Sequence, residues 1–181
     1  MKKIMIDIET LGTSANSAIV SIGAVMFDDI QLGTSFHRRV DIDSCLKLGM
    51  TVSGATICWW MEQSEVARKL FASRGTHITN VLDSFIRAFP WDCIEEVWAN
   101  GTDFDLANLV NAFDRTGLRC PWGYYKARDY RTVRKLFPPE LVRELGVQPR
   151  VEHDALDDAM AQARTLQALL NSEFATQRWV A

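Results

Sequence analysis

The sequence predicts an α/β domain built on a mixed sheet, and three observations support this fold class. Three strand-like segments follow one another near the N-terminus with short connections, as in an antiparallel meander. From Thr51 onward the apolar residues recur at helical spacing. Two later strand-like segments, at residues 95–99 and 124–128, each lead into a helix. A five-stranded mixed sheet, with its first three strands antiparallel, is therefore expected.

The first strand carries two acids on the same face. Alternation along a strand places the isoleucines at positions 4, 6 and 8 on one side, and Asp7 and Glu9 on the other. The Cα atoms of these acids would lie about 6.5 Å apart, close enough for both carboxylates to bind one metal ion or a pair of ions. The strand ends at residues 10–12, and the sheets of α/β domains carry their sites at such ends. The alternative for this segment alone is an edge strand with two solvated acids.

The next two strands differ in their expected burial. Residues 18–28 are apolar on both faces, which predicts a strand inside the sheet. Residues 35–42 alternate between apolar and polar side chains, which predicts a strand near an edge, with His37 in solvent.

Two short helices are predicted after Thr51. Thr56 is a candidate cap for a helix that contains Trp59 and Trp60, and Ser64 for the helix that follows. Neighbouring positions on a helix differ by about 100° in direction, so the two indole rings cannot be buried equally. One ring is expected in the core and the other at a surface, where an aromatic ring beside a carboxylate site suits base stacking.

Longer helical segments make up most of the remaining chain. They are predicted at residues 76–90, 106–117, from 129, at 138–146 and from the 151–155 region to 170. Thr76 begins the first of them, and Gly117 is a C-terminal cap of the second. Asp103 and Asp105 precede the second helix, where the helix dipole favours acids, so capping is a sufficient explanation for one of the two.

Length and composition indicate a single domain at residues 1–181, with a core at about 1–172 and a short C-terminal tail. No apolar run approaches the roughly 20 residues of a membrane span, so a cytoplasmic protein is the default expectation. The four cysteines form no C-x-x-C pair and are interpreted as reduced thiols that mostly pack in the core. The net charge of −3 argues against a protein that coats nucleic acid, although a basic segment lies between Arg115 and Arg150.

Acidic residues recur at three places where a strand ends or a helix begins. They are Asp7 with Glu9, an acid after the Asn100-Gly101 pair, and Asp158, which follows His153 by five positions. Four carboxylates at one edge of a sheet repel one another strongly unless a cation binds. Oxygen ligands select magnesium or manganese, and two such ions about 4 Å apart stabilise the attacking and leaving oxygens in phosphodiester cleavage.

Three motifs in this order and spacing resemble the DnaQ-like, DEDDh-type 3′-to-5′ exonucleases of the ribonuclease H-like fold. They lie at residues 7–12 (DIETLG), 100–105 (NGTDFD) and 153–158 (HDALDD). Residues 56–60, 98–101 and 128–132 also resemble a bacterial prophage and phage subgroup of stand-alone exonucleases. The resemblance implies helices on both faces of the sheet, and release of nucleoside 5′-monophosphates from the 3′ end of single-stranded RNA or DNA. Asn100-Gly101 replaces the His-Asn of many proofreading subunits, which argues against that role.

The resemblance also implies a role for each site residue. Two magnesium or manganese ions are expected, with Asp7 bridging both, Glu9 and Asp158 at the ion that holds the attacking water, and Asp105 at the second ion. His153 is the expected general base, because its ordinary pKa of about 6.5 suits proton transfer near neutrality. The 3′-terminal nucleotide is expected against Thr10 to Gly12, with Leu11 wedged against the base. Further substrate contacts are expected from Trp59, Trp60, Asn100 and Phe104.

Three other functions share part of this pattern. A ribonuclease H-like endonuclease has the same fold and metal chemistry, but a histidine five residues before an aspartate argues against it. A catalytically silent nucleic-acid-binding module would most naturally have lost one of the five catalytic residues, and all five are present. A metal-dependent phosphohydrolase of small nucleotides is consistent with the charge and the motifs. The sequence also leaves open the choice between RNA and DNA and between a monomer and a homodimer.

Overall fold

The sheet of this protein is mixed, as the sequence predicts. The computed structural model describes residues 2–179, so the ends of the predicted domain, Met1 and residues 180–181, lie outside the described residues. The strands are β1 Lys3–Thr10, β2 Ile19–Phe27, β3 Leu32–Arg39, β4 Glu96–Ala99 and β5 Ala127–Asp129. Their order in the sheet is β3-β2-β1-β4-β5. β1, β2 and β3 pair antiparallel, whereas β4 pairs parallel with both β1 and β5.

Helices follow the first three strands and occupy most of the remaining chain. They are α1 Ile42–Lys47, α2 Gly54–Glu62, α3 Glu65–Arg68, α4 Ile78–Ala88, α5 Ala107–Thr116, α6 Tyr130–Arg134, α7 Pro139–Leu145, α8 Ala155–Leu170 and α9 Glu173–Trp179. The segment predicted as a short C-terminal tail contains α9, and Ala175 of this helix is buried against Phe137 and Leu169. The tail is therefore packed onto the domain as far as the structure describes it.

β1 lies at the centre of the sheet and not at an edge. Its residues Ile4, Ile6 and Ile8 are fully or almost fully buried in a core cluster with residues of α4 and α5. Met5, on the opposite face, is buried with residues of α8. Helices thus cover both faces of the sheet, and the alternating pattern of β1 separates the larger core from the face that carries the acids.

Gly23 of β2 allows α8 to approach the sheet closely. A Cβ atom at this position would lie 2.1 Å from the carbonyl carbon of Ala155, the first residue of α8. Gly23 also pairs with Asp7 across the β1–β2 ladder. The missing side chain therefore lets the N-terminal end of α8 lie directly over the part of the sheet where the first acid is placed.

Three predicted element ends are wrong by a few residues. β3 ends at Arg39, and Ile42 begins α1 instead of ending the strand. The cap of α2 is Ser53, whose Oγ accepts a hydrogen bond from the N–H of Thr56. The cap of α4 is the exposed His77, whose Nδ1 accepts from the N–H of Thr79. Both α2 and α4 have more than one polar residue near their start, so the backbone geometry decides which side chain accepts the capping hydrogen bond.

Two expectations from composition concern the membrane and the cysteines. Among residues 2–179, no helix combines the length and the apolar character needed to cross a bilayer. Cys45 is buried and Cys120 is half-buried, whereas Cys58 and Cys93 are exposed. Two of the four cysteines are thus packing residues, fewer than the sequence suggested.

Candidate active site

The two acids of β1 lie at the end of the strand next to α8. The side-chain amide of Gln162, on α8, donates a hydrogen bond of 2.8 Å to Oδ1 of Asp7. Glu9 is buried, with 9% of its surface exposed. The turn beyond them is held by several bonds, including one from the Thr10 hydroxyl to the carbonyl oxygen of Gly12 at 2.7 Å. The strand therefore presents both carboxylates from a fixed backbone.

A π-helical turn at Thr102–Leu106 brings the third acid into the same site. The turn follows Gly101, whose φ of 134° is in the region that favours glycine. Asp105 is buried and its Oδ1 accepts a hydrogen bond of 3.3 Å from the backbone N–H of Ile8 on β1. Asp103 is exposed. Asp105, the residue that the family resemblance favours, therefore contacts the strand and does not cap α5.

The N-terminal end of α8 contributes the histidine and the fourth acid. Asp154 caps this helix by accepting bonds from the N–H groups of Leu156 and Asp157. His153 precedes the cap with a φ of 63°, an uncommon conformation for a residue other than glycine. Its backbone N–H donates a bond of 3.0 Å to Oδ2 of Asp158. The histidine and Asp158 are therefore fixed relative to each other by the way the helix begins.

All five predicted catalytic residues meet in one open pocket of about 290 Å³, which we call the carboxylate pocket. The predicted residues that line it are Asp7, Glu9, Asp105, His153 and Asp158. One possible ligand atom from each of Glu9, His153 and Asp158 lies within 4.8 Å of the other two. Glu9 and Asp158, which are 149 positions apart in the chain, are thus close enough to bind the same ion or the same water.

Burial raises the pKa values of all four carboxyl groups, and repulsion from neighbouring acids adds to the effect. The pKa of Asp7 lies well above its usual range, first because the group is buried and then because Asp105 and Glu9 are near. Burial is also the main reason that the pKa of Glu9 is raised to about 8, that of Asp105 to about 7 and that of Asp158 to about 6. Ionising all four groups near neutrality is therefore unfavourable unless positive charge compensates.

The donor groups of the pocket fit a divalent cation. Carboxylate oxygens are the ligands that magnesium and manganese prefer. Two buried amide oxygens of the same pocket, Asn100 Oδ1 and Gln162 Oε1, have no hydrogen-bond partner among the described residues. A hydrated cation would supply both the missing positive charge and the missing donors. The residues present therefore suit metal binding.

A larger apolar cleft opens beside the carboxylate pocket. This nucleoside cleft, as we call it, has a volume of about 450 Å³, and its lining includes Thr10, Gly12, Trp59, Trp60 and Phe104. Its volume is in the range typical of small-molecule sites. Ile8, Glu9 and Phe104 line both compartments, so the cleft is continuous with the acids.

The two tryptophans of α2 have different environments. Trp60 is buried, and its indole N–H donates a bond of 2.9 Å to the carbonyl oxygen of Thr10. Trp59 has 41% of its surface exposed, and the centre of its ring lies 4.8 Å from that of His153. Trp60 thus supports the end of β1, whereas Trp59 is the exposed ring beside His153.

Leu11 and Asn100, which were predicted as substrate contacts, do not line the nucleoside cleft. Leu11 is buried in a small cluster with Trp60, Ala67 and Leu70, behind the wall of the nucleoside cleft. A role as a wedge against the base is therefore not supported by the position of its side chain. Asn100 lines the carboxylate pocket rather than the nucleoside cleft.

Two polar residues of the carboxylate pocket were not predicted as site residues. Gln162 lies four positions after Asp158 on α8, so helical spacing could have indicated that it shares the same face. Arg131, on α6, donates a bond of 2.7 Å to the carbonyl oxygen of Asn100, and its positive charge lowers the pKa of Asp105. In the sequence it lies in the segment 128–132 that resembles the phage and prophage subgroup, but nothing in that segment assigned it to the site.

Two comparisons of this sequence with known proteins match exonucleases. The family model of the Rv2179c-like 3′-5′ exoribonuclease domain matches residues 2–170. An exodeoxyribonuclease of Enterobacteria phage T4 is 25% identical over an alignment of 193 positions. The alignment covers 85% of this chain and 82% of the phage protein. The two names agree on exonuclease activity and differ in the nucleic acid.

Solved structures show the same fold at low sequence identity. The nuclease domain of 3′hExo, a DEDDh family member bound to rAMP, has a TM-score of 0.63 and 15% identity over 93% of this chain and 91% of its own. Pop2p of S. pombe, in an Mg²⁺ and Mn²⁺ bound form, has a TM-score of 0.63 and 14% identity over 94% of this chain and 83% of its own. The fold is thus shared with one structure of a nuclease domain and with another that holds Mg²⁺ and Mn²⁺. The chain belongs to the Rv2179c-like 3′-5′ exoribonuclease domain family, and it is a DnaQ-like exonuclease.

Proposed function

We propose that this protein removes nucleotides one at a time from the 3′ end of single-stranded nucleic acid, with magnesium or manganese as cofactor. The observation that carries the proposal is the continuity between the carboxylate pocket and the nucleoside cleft. A cleft of about 450 Å³ beside the acids suits one terminal nucleoside, whose phosphate then lies over the carboxylates. The name of the matching family supports the 3′-to-5′ direction.

The protein residues position the reaction and move one proton. Two divalent cations at Asp7, Glu9, Asp105 and Asp158 would polarise the scissile phosphate and stabilise the charge that develops on it. His153 takes a proton from a water molecule, and the water oxygen attacks phosphorus. The bond from phosphorus to the 3′ oxygen of the preceding nucleotide breaks, and that oxygen acquires a proton. The products are a nucleoside 5′-monophosphate and a strand shortened by one nucleotide with a free 3′ hydroxyl.

His153 is well placed for this role. One of its ring nitrogens lies within 4.8 Å of a carboxylate oxygen of Glu9 and of a carboxylate oxygen of Asp158. The backbone bond to Asp158 and the ring contact with Trp59 restrict its orientation. A neutral imidazole held in this way can take a proton from a water molecule, and general base catalysis of this kind contributes about 10²- to 10⁴-fold.

Both RNA and DNA are proposed as substrates. The family name specifies an exoribonuclease, whereas the phage T4 relative is named an exodeoxyribonuclease. The lining of the nucleoside cleft is mostly apolar, with Trp59 and Phe104 available for stacking. Stacking tolerates any base, so we expect weak dependence on sequence.

The test is digestion of matched single-stranded RNA and DNA of one sequence, labelled at the 5′ end. With Mg²⁺ or Mn²⁺ we expect a ladder of labelled products that shorten in steps of one nucleotide, and free nucleoside 5′-monophosphates. The same strands blocked by a 3′ phosphate should be degraded much more slowly, because the cleft must hold the terminal sugar. The relative rates of digestion show which of the two nucleic acids is the better substrate.

Asp158→Asn is the matched control, since it removes one negative charge and keeps the shape of the side chain. We expect no ladder with this variant or with a chelator. Large internal fragments at early times would indicate an endonuclease and contradict the proposal. Hydrolysis of free nucleotides without attack on strands would indicate a nucleotide phosphohydrolase.

A further inference from the structure

A third compartment adjoins the carboxylate pocket on the side away from the nucleoside cleft. This arginine cleft, as we call it, has a volume of about 400 Å³ and lies between α6, α7 and α8, with Tyr130, Arg134, Arg143 and Thr165 in its lining. It shares Asn100, Asp158 and Gln162 with the carboxylate pocket. It shares no described lining residue with the nucleoside cleft. The three compartments therefore form a series with the acids in the middle.

The arginine cleft is polar and has positive charge available. Arg134 lies over the ring of Tyr130, with its guanidinium carbon 5.5 Å from the ring centre, and has no carboxylate within 4.0 Å among residues 2–179. Within the described part of the chain, Arg143 pairs only with Glu140, at 3.3 Å. Both partners of that pair are about three-quarters exposed, so the pair contributes little and a phosphate can replace the carboxylate.

The floor of this cleft is rigid. Tyr130 is buried, and burial raises the pKa of its hydroxyl, so it stays neutral. The Thr165 hydroxyl donates to the carbonyl oxygen of Ala161 and accepts from the N–H of Val147, both at 2.9 Å. This second bond ties the loop after α7 to α8. The two arginines thus stand on a fixed frame beside the acids.

We propose that the arginine cleft holds the phosphate on the 5′ side of the penultimate nucleotide. This phosphate lies one nucleotide upstream of the scissile phosphate. This inference rests on the proposed function. A strand whose terminal nucleoside fills the nucleoside cleft and whose scissile phosphate lies over the acids continues into the third compartment of the series. Guanidinium groups bind phosphate through charge-assisted hydrogen bonds, which explains why arginines line this end and apolar side chains line the other.

The test compares two dinucleotides that differ by one group. One carries a 5′ phosphate and the other a 5′ hydroxyl, and both contain the same scissile bond. We expect wild-type protein to show a kcat/KM about tenfold higher for the 5′-phosphorylated dinucleotide, because an exposed charge-assisted contact has an effect of this order. In Arg134→Gln/Arg143→Gln the ratio should fall to about one, with the 5′-hydroxyl dinucleotide hydrolysed as fast as by wild type.

Arg87→Gln is the matched control, since Arg87 is exposed on α4, pairs with Asp83 and lines none of the three compartments. It should keep the tenfold ratio. A ratio near one in wild type, a ratio retained in the double variant, or an equal loss on both dinucleotides would each overturn the inference. If wild type releases no nucleoside 5′-monophosphate from either dinucleotide or from longer strands, the proposed function itself fails.

A second measurement uses the salt dependence of KM for a longer strand. Each phosphate contact to a single strand contributes about 0.7 to the slope of log KM against log salt concentration. The double variant should have a slope lower by about 0.7, and Arg87→Gln should leave it unchanged. An unchanged slope in the double variant would contradict contact with a phosphate.

Discussion

The side-chain amide of Gln162 donates a hydrogen bond of 2.8 Å to Oδ1 of Asp7, and so joins the first strand of the chain to its longest helix. This bond lowers the pKa of Asp7, in opposition to burial and to the neighbouring acids that raise it. The amide thus helps to keep ionised the carboxylate that is expected to bind both cations. Its other atom, Oε1, remains available to a ligand of the carboxylate pocket.

Gln162→Leu should therefore lower the exonuclease activity and raise the Mg²⁺ concentration needed for half-maximal rate. Residues that hydrogen-bond to metal ligands typically change affinity or activity by about 10- to 100-fold when replaced. Gln167→Leu is a matched control, because Gln167 lies on the same helix and donates a bond of the same 2.8 Å length to the carbonyl oxygen of Asp28. Equal effects of the two substitutions would show that Gln162 has no specific role in the site.

His153 is predicted to be essential for hydrolysis and not for folding. Replacing it should lower kcat by about 10²- to 10⁴-fold, the usual contribution of a general base. Because the residue has a φ of 63°, His153→Asn is a better substitution than His153→Ala, since asparagine tolerates this conformation. Thermal unfolding checks the fold, and His77→Asn, at an exposed helix cap, is the control. Near-normal activity of a folded His153 variant would remove the histidine from the mechanism.

The metal-free protein should be less stable at pH 8 than at pH 5.5. The pKa of Glu9 is raised by burial to about 8 and that of Asp105 to about 7 in the folded chain, so the folded state binds more protons than the unfolded state over this range. The favourable contribution of these protonated groups is fully present below their unfolded pKa values, near 4, and is lost as pH rises towards 8. We expect the midpoint of thermal unfolding, measured with a chelator, to fall by about 5 °C or more.

Two further measurements isolate the cause of this change. In Glu9→Gln/Asp105→Asn the decline of the unfolding midpoint between pH 5.5 and pH 8 should be much smaller. Adding Mg²⁺ to the wild type should raise the midpoint more at pH 8 than at pH 5.5, because the cation binds the ionised carboxylates. A wild-type midpoint that rises with pH in the absence of metal would contradict the assignment.

Gly23→Ala should damage the fold and the site together. Its Cβ atom would lie 2.1 Å from the backbone of Ala155, so α8 would have to move away from β2 and carry His153 and Asp158 with it. Crowding of this kind destabilises by about 1–3 kcal/mol or more. Gly33→Ala on β3 is the control, since its Cβ would meet neighbours only at 3.7 Å and beyond. Measured free energies of unfolding that are equal for the two variants would be inconsistent with the close approach.

Trp59 and Trp60 should have separable effects. Trp60→Ala removes a buried ring and its bond to Thr10, and we expect a loss of stability of about 3–5 kcal/mol. Trp59→Ala should change stability little and raise KM for strands about tenfold, because base stacking contributes about 1–3 kcal/mol per base. Trp59→Phe should recover most of the affinity. An unchanged KM in Trp59→Ala would mean that this ring does not contact the substrate.

Local patterns in the sequence are sufficient for much of this fold. Alternation in β1 and the continuous apolar run of β2 depend only on neighbouring residues, and both strands are found within one or two residues of their predicted ends. The preference for Asp105 over Asp103 came from the resemblance to the family, and the π-helical turn after Gly101 supplies its physical reason. The exact start of a helix, as at Ser53, depends on backbone angles that the pattern does not specify.

What the sequence determined by itself is the set of chemical groups: four acids and a histidine at the ends of strands and the start of a helix. Tertiary structure alone decided that Gln162 bonds to Asp7, that Trp60 is the buried ring of the pair, and that three compartments lie in series. The physical reason is distance along the chain. Asp7 and Gln162 are 155 positions apart, and only the packing of α8 across Gly23 brings their atoms within hydrogen-bond distance.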